Sequence, residues 1–311
     1  MRQNVKSMRI LIALDATPPC AMIVEEAVNR PWPSGSVFFL LHVLDPFRFV
    51  KAPISLQRAK DAASAELRNL KKALVDVGWK TEADVILGHP RSSIVKSAAS
   101  WKADLVMLGS SDPGPVARLL LGSTAHSVLR RAPCSVEIVR PPANGKRLPA
   151  AGMKILVATD GSEYSGIALH SVVSRPWPKG SEVKVLCVPE PFVPIGVFPY
   201  FELKEIENLN TSALKEAKKA VDAGAKILAK LDAKVSTETP FPQDSPARVI
   251  VKEGQEWGAH MIVLGSHGRR GFDRLTMGSV SEHVAFHSHC SVGVIRGRRV
   301  QEKRSRKGES Q

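Results

Sequence analysis

A glycine-rich stretch in the second half of the chain has residue types and spacing that suit a binding site. Gly265 and Gly268 are separated by two residues, and Gly278-Ser279 follows after nine more. Glycines let a backbone turn tightly and bring its N–H groups close to a ligand. We expect a helix to begin at Gly278, where unpaired N–H groups and the positive end of the helix dipole favour phosphate. The spacing therefore predicts a loop that binds phosphate groups.

Polar side chains beside this loop support the same interpretation. Ser279 is expected to cap the helix and to donate a hydroxyl hydrogen bond. Asp160, at the end of a predicted strand, could accept from a ribose hydroxyl or an adenine amine. His267 is either a phosphate contact or a solvated loop residue. Three arginines add positive charge that suits phosphate: Arg269, Arg270 and Arg274.

The loop differs from the common phosphate-binding motif, and the groups that catalysis needs are not evident. The Walker pattern GxxxxGK[ST] is absent from the chain. No residue is an evident general base, and Asp273 is the only acid between Gly265 and Gly278. His283 and His287 have metal-ligand spacing on a helix, but no third ligand is evident, which favours a plain helix-end pair. The pattern favours binding over catalysis.

The chain contains an internal repeat. Residues 8–15 return as residues 153–160, at an offset of 145, and an Arg-Pro-Trp-Pro sequence recurs at the same offset. A later block matches at an offset of 156 and pairs Trp101 with Trp257. Recurrence of the tryptophans at matching places favours a packing role. Two blocks in register, with an insertion between them, indicate duplication of a whole domain.

A linker separates the two copies. Residues 140–152 contain three prolines and two glycines and have no apolar periodicity, which is typical of a boundary. We therefore predict two domains, residues 1–144 and residues 145–311.

Each copy alternates short apolar runs with helical patterns. Residues 10–14 and 105–108 are continuous apolar runs, typical of strands buried on both faces of a parallel sheet. The alternation predicts an α/β fold with two doubly wound domains, and right-handed crossovers place helices on both faces. Such sheets bind ligands beyond the carboxyl ends of their strands, at the switch point of the winding. Asp160 and the glycine loop both fall there.

The first copy keeps only part of the loop pattern. Asp112 replaces the second glycine, and two prolines beside it remove N–H donors. The aspartate adds negative charge where phosphates would lie. The Asp160-Gly161-Ser162 sequence becomes Asp-Ala-Thr in the first copy. We predict a weaker first-domain site that comprises Asp15, Val43, Gly109, Gly122 and Ser123.

These features together resemble the universal stress protein family. The resemblance is carried by Gly265-x2-Gly268-x9-Gly278-Ser279, with Asp160-Gly161-Ser162 upstream, and extends over nearly the whole chain as a tandem two-domain member. It implies a five-stranded parallel sheet of order 3-2-1-4-5 in each domain. It also implies that the domains pair through their last strands, residues 135–139 and 291–295.

The resemblance further implies ATP, with or without Mg²⁺, held without a Walker loop. Asp160 would face the ribose and adenine, the Val188 backbone would lie beside adenine, and the glycines with Ser279 and Val280 would meet the phosphates. The predicted second-domain site comprises Asp160, Gly161, Ser162, Val188, Gly265, His267, Gly268, Arg269, Gly278, Ser279, Val280 and Ser281.

The function expected from these residues and from the resemblance is an ATP-binding stress-response regulator or sensor without robust catalysis. Nucleotide would be held mainly in the second domain. Two alternatives stay open: an enzyme that hydrolyses ATP slowly, and a nucleotide-free interaction scaffold. A homodimer and an unidentified protein partner are also open.

Composition and charge limit which other classes of protein the chain could belong to. The chain has 311 residues, a formal charge of +14 and four cysteines without CxxC spacing, which predicts reduced, mostly buried thiols in a cytoplasmic protein. We expect no export signal and no membrane span. Part of the charge lies in a basic tail beyond residue 295 that could touch nucleic acid or an anionic membrane. No aromatic residue interleaves these charges, so a solvating tail is favoured over nucleic acid binding.

Overall fold

The computed structural model describes residues 6–15, 19–50, 53–110, 121–141, 152–190, 203–241, 244–269 and 277–297. Several predicted features lie outside these residues. They are most of the linker, the basic tail from residue 298, the first-copy segment with Asp112, and the second-copy residues Arg270, Asp273 and Arg274.

One ten-stranded sheet runs through both copies, in the order β3-β2-β1-β4-β5-β10-β9-β6-β7-β8. Each half therefore has the strand order 3-2-1-4-5, and this prediction is confirmed. The strands are β1 (Arg9–Leu14), β2 (Val37–Leu44), β3 (Lys80–Leu87), β4 (Leu105–Gly109), β5 (Ser135–Val139), β6 (Lys154–Ala158), β7 (Glu182–Leu186), β8 (Lys234–Glu238), β9 (Met261–Gly265) and β10 (Ser291–Ile295).

Helices connect the strands on both faces of the sheet. They are α1 (Pro19–Asn29), α2 (Pro53–Asp76), α3 (Pro90–Ser100), α4 (Ser123–Arg131), α5 (Glu163–Val173), α6 (Leu203–Leu228), α7 (Pro246–Glu256) and α8 (Ser279–His287), with a 3₁₀ turn at Pro46–Phe49. Within the described part of the chain, no helix combines the length and the apolar character that a bilayer crossing requires.

Strand burial follows strand position. The apolar strands β1 and β6 lie inside the sheet and have almost wholly buried side chains. The polar strand β8 forms an edge and is largely exposed. An edge strand has one free side and less cover, which explains why its sequence carries so weak an apolar signal.

The recurrent tryptophans have the packing role expected of them. The Trp32 indole N–H donates to the Ala27 carbonyl at 2.7 Å, and the Trp177 indole N–H donates to the Val172 carbonyl at 2.8 Å. Each indole therefore binds a carbonyl in the last turn of the preceding helix, where α1 and α5 stop before a proline.

The two halves meet where β5 pairs with β10 in antiparallel register, Val136 opposite Val294 and Glu137 opposite Gly293. This is the pairing of last strands that the resemblance implied. Two equivalent arginines reinforce it. Arg140 donates to the Ala285 carbonyl of α8 at 2.5 Å, and Arg296 donates to the Leu129 carbonyl of α4 at 2.7 Å. Each half thus caps the last helix of the other with a cation.

The junction between β5 and β10 is called the seam, and the two faces of the sheet are packed differently there. On one face a single apolar core extends across both copies, and it includes Val136 and Val292. On the other face each copy has its own core. Because side chains alternate along a strand, Glu137 points away from the shared core. It lies on the face where the two cores are separate.

Buried charges fill that face of the seam. Glu137 is fully buried and pairs with Arg30 from the first copy and, at 3.5 Å, with Arg175 from the second. The two arginines occupy equivalent places in the repeat, whereas Gly293 stands opposite the glutamate. Glu26 adds a second carboxylate, 2.8 Å from Arg30. One carboxylate therefore joins two equivalent arginines across the seam.

Glu26 makes the stability of this cluster depend on pH. Burial raises the pKa of Glu26 to about 7 and Glu137 adds to the rise, against the opposing effect of Arg30 and a hydrogen bond from Ser291. The folded pKa exceeds the ordinary value of 4.5, so the folded state binds this proton more tightly. The resulting stabilisation is complete below pH 4.5 and is lost as the pH rises through about 7.

We therefore expect Glu26→Gln, a permanently neutral replacement, to lose less stability than the parent protein between pH 5 and pH 8. Urea unfolding at several pH values in this range measures the difference. Parallel stability curves for the two proteins would contradict a proton bound at Glu26 in the folded state.

Candidate functional site

A cavity of about 710 Å³ lies at the switch point of the second copy. There β6 and β9 run side by side, with Ala158 opposite Leu264, and their following loops leave toward opposite faces. Ten predicted site residues line the cavity: Asp160, Val188, Gly265, His267, Gly268, Arg269, Gly278, Ser279, Val280 and Ser281. Gly161 and Ser162 are not among its lining residues.

Asp160 fastens the glycine loop to the end of β6. One carboxylate oxygen accepts the Arg269 N–H at 2.8 Å, and the other accepts the Ser162 N–H at 3.0 Å. Burial by itself would raise the pKa of Asp160. Hydrogen bonds from Ser162 and Arg269 outweigh burial and hold the pKa below its ordinary value. The carboxylate is therefore ionised and binds protein backbone on both of its oxygens.

The loop glycines are required by close contacts inside the protein. A Cβ at Gly268 would lie 2.8 Å from an oxygen of Asp160. A Cβ at Gly265 would lie 2.7 Å from the Tyr164 carbonyl group. Real Cβ atoms do not approach so closely, so glycine at both places lets α5 and Asp160 pack against the loop. Their spacing reflects these contacts as well as access to a ligand.

The start of α8 differs from the prediction in one respect. Gly278 is the N-cap and Ser279 is the first helical residue, without a side-chain cap, so the capping role predicted for Ser279 is wrong. Instead, the Ser281 hydroxyl donates to the Gly278 carbonyl at 2.8 Å and to the Ser266 carbonyl at 3.1 Å, which connects the first turn of α8 to the glycine loop. The first-turn N–H groups have no intrahelical acceptors by helix geometry and lie at the cavity.

Gly161 and Ser162 shape the turn between β6 and α5. Gly161 has φ +77°, which favours glycine, and a Cβ there would lie 3.4 Å from an Arg269 guanidinium nitrogen. Ser162 is the N-cap of α5 and accepts the Ser165 N–H at 3.3 Å. These two residues lie outside the cavity lining and support the site by shaping this turn.

His267 and Val188 complete the predicted set. The His267 ring packs against Tyr164 with centroids 4.9 Å apart, and its Nδ1 lies 3.0 Å from the Ser266 hydroxyl. Val188 follows β7 and contributes to the cavity wall. His267 therefore belongs to the lining and is also supported by neighbouring side chains.

Two helices contribute walls that the loop motif did not indicate. Ala213, Glu216 and Ala217 come from α6, and Pro246 and Ile250 come from α7. Helical periodicity could indicate which face of each helix is buried. It could not indicate that the end of that face meets the glycine loop.

Arg269 extends from the loop to α6. Its Nε donates to the Asp160 carbonyl at 2.5 Å, and its Nη1 lies 3.1 Å from the Glu216 carboxylate. The pair between Arg269 and Glu216 therefore joins the loop to α6 beside the cavity.

The described part of the first-copy site has a similar frame. Gly122 is the N-cap of α4 without a side-chain cap, and its N–H donates to the Ser110 carbonyl, as the Gly278 N–H does to Ser266. Ser123 begins α4, and Gly109 ends β4. Asp15 directly follows β1, and Val43 lies within β2 and is buried. The loop with Asp112 lies outside the described residues, so a weaker first site stays a prediction.

The fold and site define an open, doubly wound α/β protein with two copies of a five-stranded sheet and a non-Walker glycine loop at one switch point. The sequence model of the universal stress protein family matches residues 6–140 and 153–296. The chain belongs to the universal stress protein family, as a tandem of two family domains.

Individual relatives agree with this assignment. A universal stress protein of Mycolicibacterium smegmatis is 26% identical over 310 residues, which cover 96% of this chain and 100% of that protein. YxiE, a universal stress protein of Bacillus subtilis, is 30% identical over 147 residues, 46% of this chain and 98% of YxiE. The crystal structure of a universal stress protein from Archaeoglobus fulgidus has a TM-score of 0.63 at 20% identity, over 94% of this chain and 97% of that chain. The structural likeness confirms the fold.

Proposed function

We propose that the second copy binds ATP in its cavity and that the chain serves as a nucleotide-responsive regulator or sensor without robust catalysis. The observation that carries this proposal is the cavity of about 710 Å³ at the switch point, which the predicted loop lines. Its volume lies within the range of about 300–1,000 Å³ that small-molecule sites occupy.

The lining divides into parts that suit the two ends of a nucleotide. Apolar groups that include Val188 and Ile250 suit a flat base. The backbone of the glycine loop and the first turn of α8 supply N–H groups for the phosphates. Ser279 and Val280 lie in that first turn and are the residues proposed to bind the terminal phosphates through their N–H groups.

The role of Asp160 in this proposal is to hold the loop in the binding conformation. Its oxygens already accept two backbone N–H groups, so a ribose hydroxyl would share an acceptor that is hydrogen bonded. Its lowered pKa makes it a weak general base. Glu216 is another acid in the cavity lining, and its carboxylate is paired with Arg269. These features support binding and sensing over hydrolysis.

The proposal predicts about one ATP bound per chain, because the first copy has a defective loop sequence. Calorimetric titration measures the stoichiometry, and acid extraction of purified protein shows whether adenine nucleotide is carried along. An empty extract together with no heat on titration would favour the nucleotide-free scaffold. ADP formation over many turnovers, followed with and without Mg²⁺, would instead favour the slow ATP-hydrolysing enzyme.

A further inference from the structure

The Arg269 side chain lies where three parts of the protein meet. Its own backbone belongs to the glycine loop, its Nε donates to the carbonyl at the end of β6, and its Nη1 pairs with Glu216 of α6. The position of a Cβ on Gly161 would be 3.4 Å from both Arg269 Nη2 and Ala220 of α6. The guanidinium is therefore held against the turn after β6 and against α6.

The contact between Arg269 and Glu216 is the most easily broken of these. The two side chains are 51% and 58% exposed, at a distance of 3.1 Å. Exposed ion pairs contribute about 0–1 kcal/mol because water and salt screen them. The other two contacts of Arg269, from its Nε and from its backbone N–H, both go to Asp160, which is half-buried, whereas Glu216 is exposed. Nη1 can therefore change its partner while the loop keeps its place.

A polyphosphate is a stronger partner for this guanidinium than one carboxylate. Arginine binds phosphate oxygens through paired, charge-assisted hydrogen bonds. Both Arg269 and Glu216 line the same cavity, so phosphates bound there would come close to Arg269 and would be repelled by Glu216.

We propose that Glu216 is a competing anion: it occupies Arg269 in the ligand-free protein, and the phosphates of a bound nucleotide displace it. This inference rests on the proposed function. Glu216 lowers the affinity of the site, and ligand binding releases α6 from the glycine loop. Because coupling between two equilibria is reciprocal, any partner that draws Glu216 away from Arg269 tightens nucleotide binding.

Substitution of Glu216 tests the inference, with ATP and inorganic triphosphate as probes in calorimetric titrations of the full chain. We expect Glu216→Gln to bind both probes about three- to tenfold more tightly at low salt, with a smaller gain at high salt. Glu256→Gln is the matched control, since Glu256 is 59% exposed, pairs with Lys252 on α7 at 3.8 Å and does not line the cavity. It should leave affinity unchanged.

A double-mutant cycle separates competition for Arg269 from general repulsion. In the Arg269→Gln background, we expect Glu216→Gln to change affinity by less than twofold, because the shared cation is gone. A full gain in that background would overturn the inference, and so would unchanged or weaker binding by Glu216→Gln alone. If the parent chain binds neither probe, the proposed function itself fails. ATP binding without the Glu216 effect overturns only the inference.

Discussion

Replacement of Gly268 by aspartate is expected to weaken ATP binding at least tenfold, about 1.4 kcal/mol. The new Cβ would lie 2.8 Å from an oxygen of Asp160, so the contact between Asp160 and the Arg269 N–H must shift. The added carboxylate also brings a second negative charge beside Asp160, where phosphates would bind. The substitution reproduces the aspartate that the first copy carries at Asp112.

Calorimetric titration with ATP measures the effect, and circular dichroism checks that the variant folds. Gly166→Asp is the control within the described residues, because a Cβ at Gly166 of α5 would have no atom within 4 Å. Gly114→Asp, in the loop of the first copy, should also matter far less than Gly268→Asp. Equal losses from the Gly114 and Gly268 changes would contradict the proposed asymmetry between the copies.

Glu137→Gln is expected to destabilise the fold by about 3–5 kcal/mol, because it removes the one carboxylate that pairs with both Arg30 and Arg175. All three side chains are buried, so two cations would remain next to each other without this partner. Glu26 would be the nearest remaining acid; in the parent protein burial raises its pKa to about 7, with a contribution from Glu137. Loss of Glu137 lowers the Glu26 pKa and so reduces the stability that protonation of Glu26 gives the parent at acidic pH, and the cost should therefore be larger at acidic pH.

Denaturant unfolding at pH 8 and pH 5 measures this cost. Glu256→Gln, which alters an exposed ion pair, should change the free energy of unfolding by less than about 1 kcal/mol. A similarly small change for Glu137→Gln would mean that the seam does not depend on its charges. Its stability would then come from the shared apolar core and the pairing of β5 with β10.

The seam shows how much of the structure can be predicted from local sequence patterns. The sequence Ser-Val-Glu-Ile-Val of β5 places a charged residue within a buried strand, and such a residue signals an ion pair or a function. The partners could not be read from the same pattern. Arg30 and Arg175 begin the two Arg-Pro-Trp-Pro sequences of the repeat, and folding brings them to one carboxylate from two different domains.

The candidate site divides in the same way. The glycine spacing and the position of Asp160 after a strand identified ten residues that line the cavity. The glycine spacing does not indicate that Gly265 and Gly268 also accommodate Tyr164 and Asp160 inside the protein. The walls from α6 and α7 depend on how two helices pack on the sheet, and helical periodicity does not specify that packing.

The sequence by itself determined the duplicated architecture and the place of the glycine loop, because both follow from local repeats and from the period of apolar residues. The tertiary structure decided which groups meet. It placed Glu137 between two equivalent arginines, and Glu216 of α6 on Arg269 of the glycine loop. Those contacts join residues far apart along the chain, and their energies depend on distance and burial. The glycine loop therefore marked the site, and the fold supplied the charges that surround it.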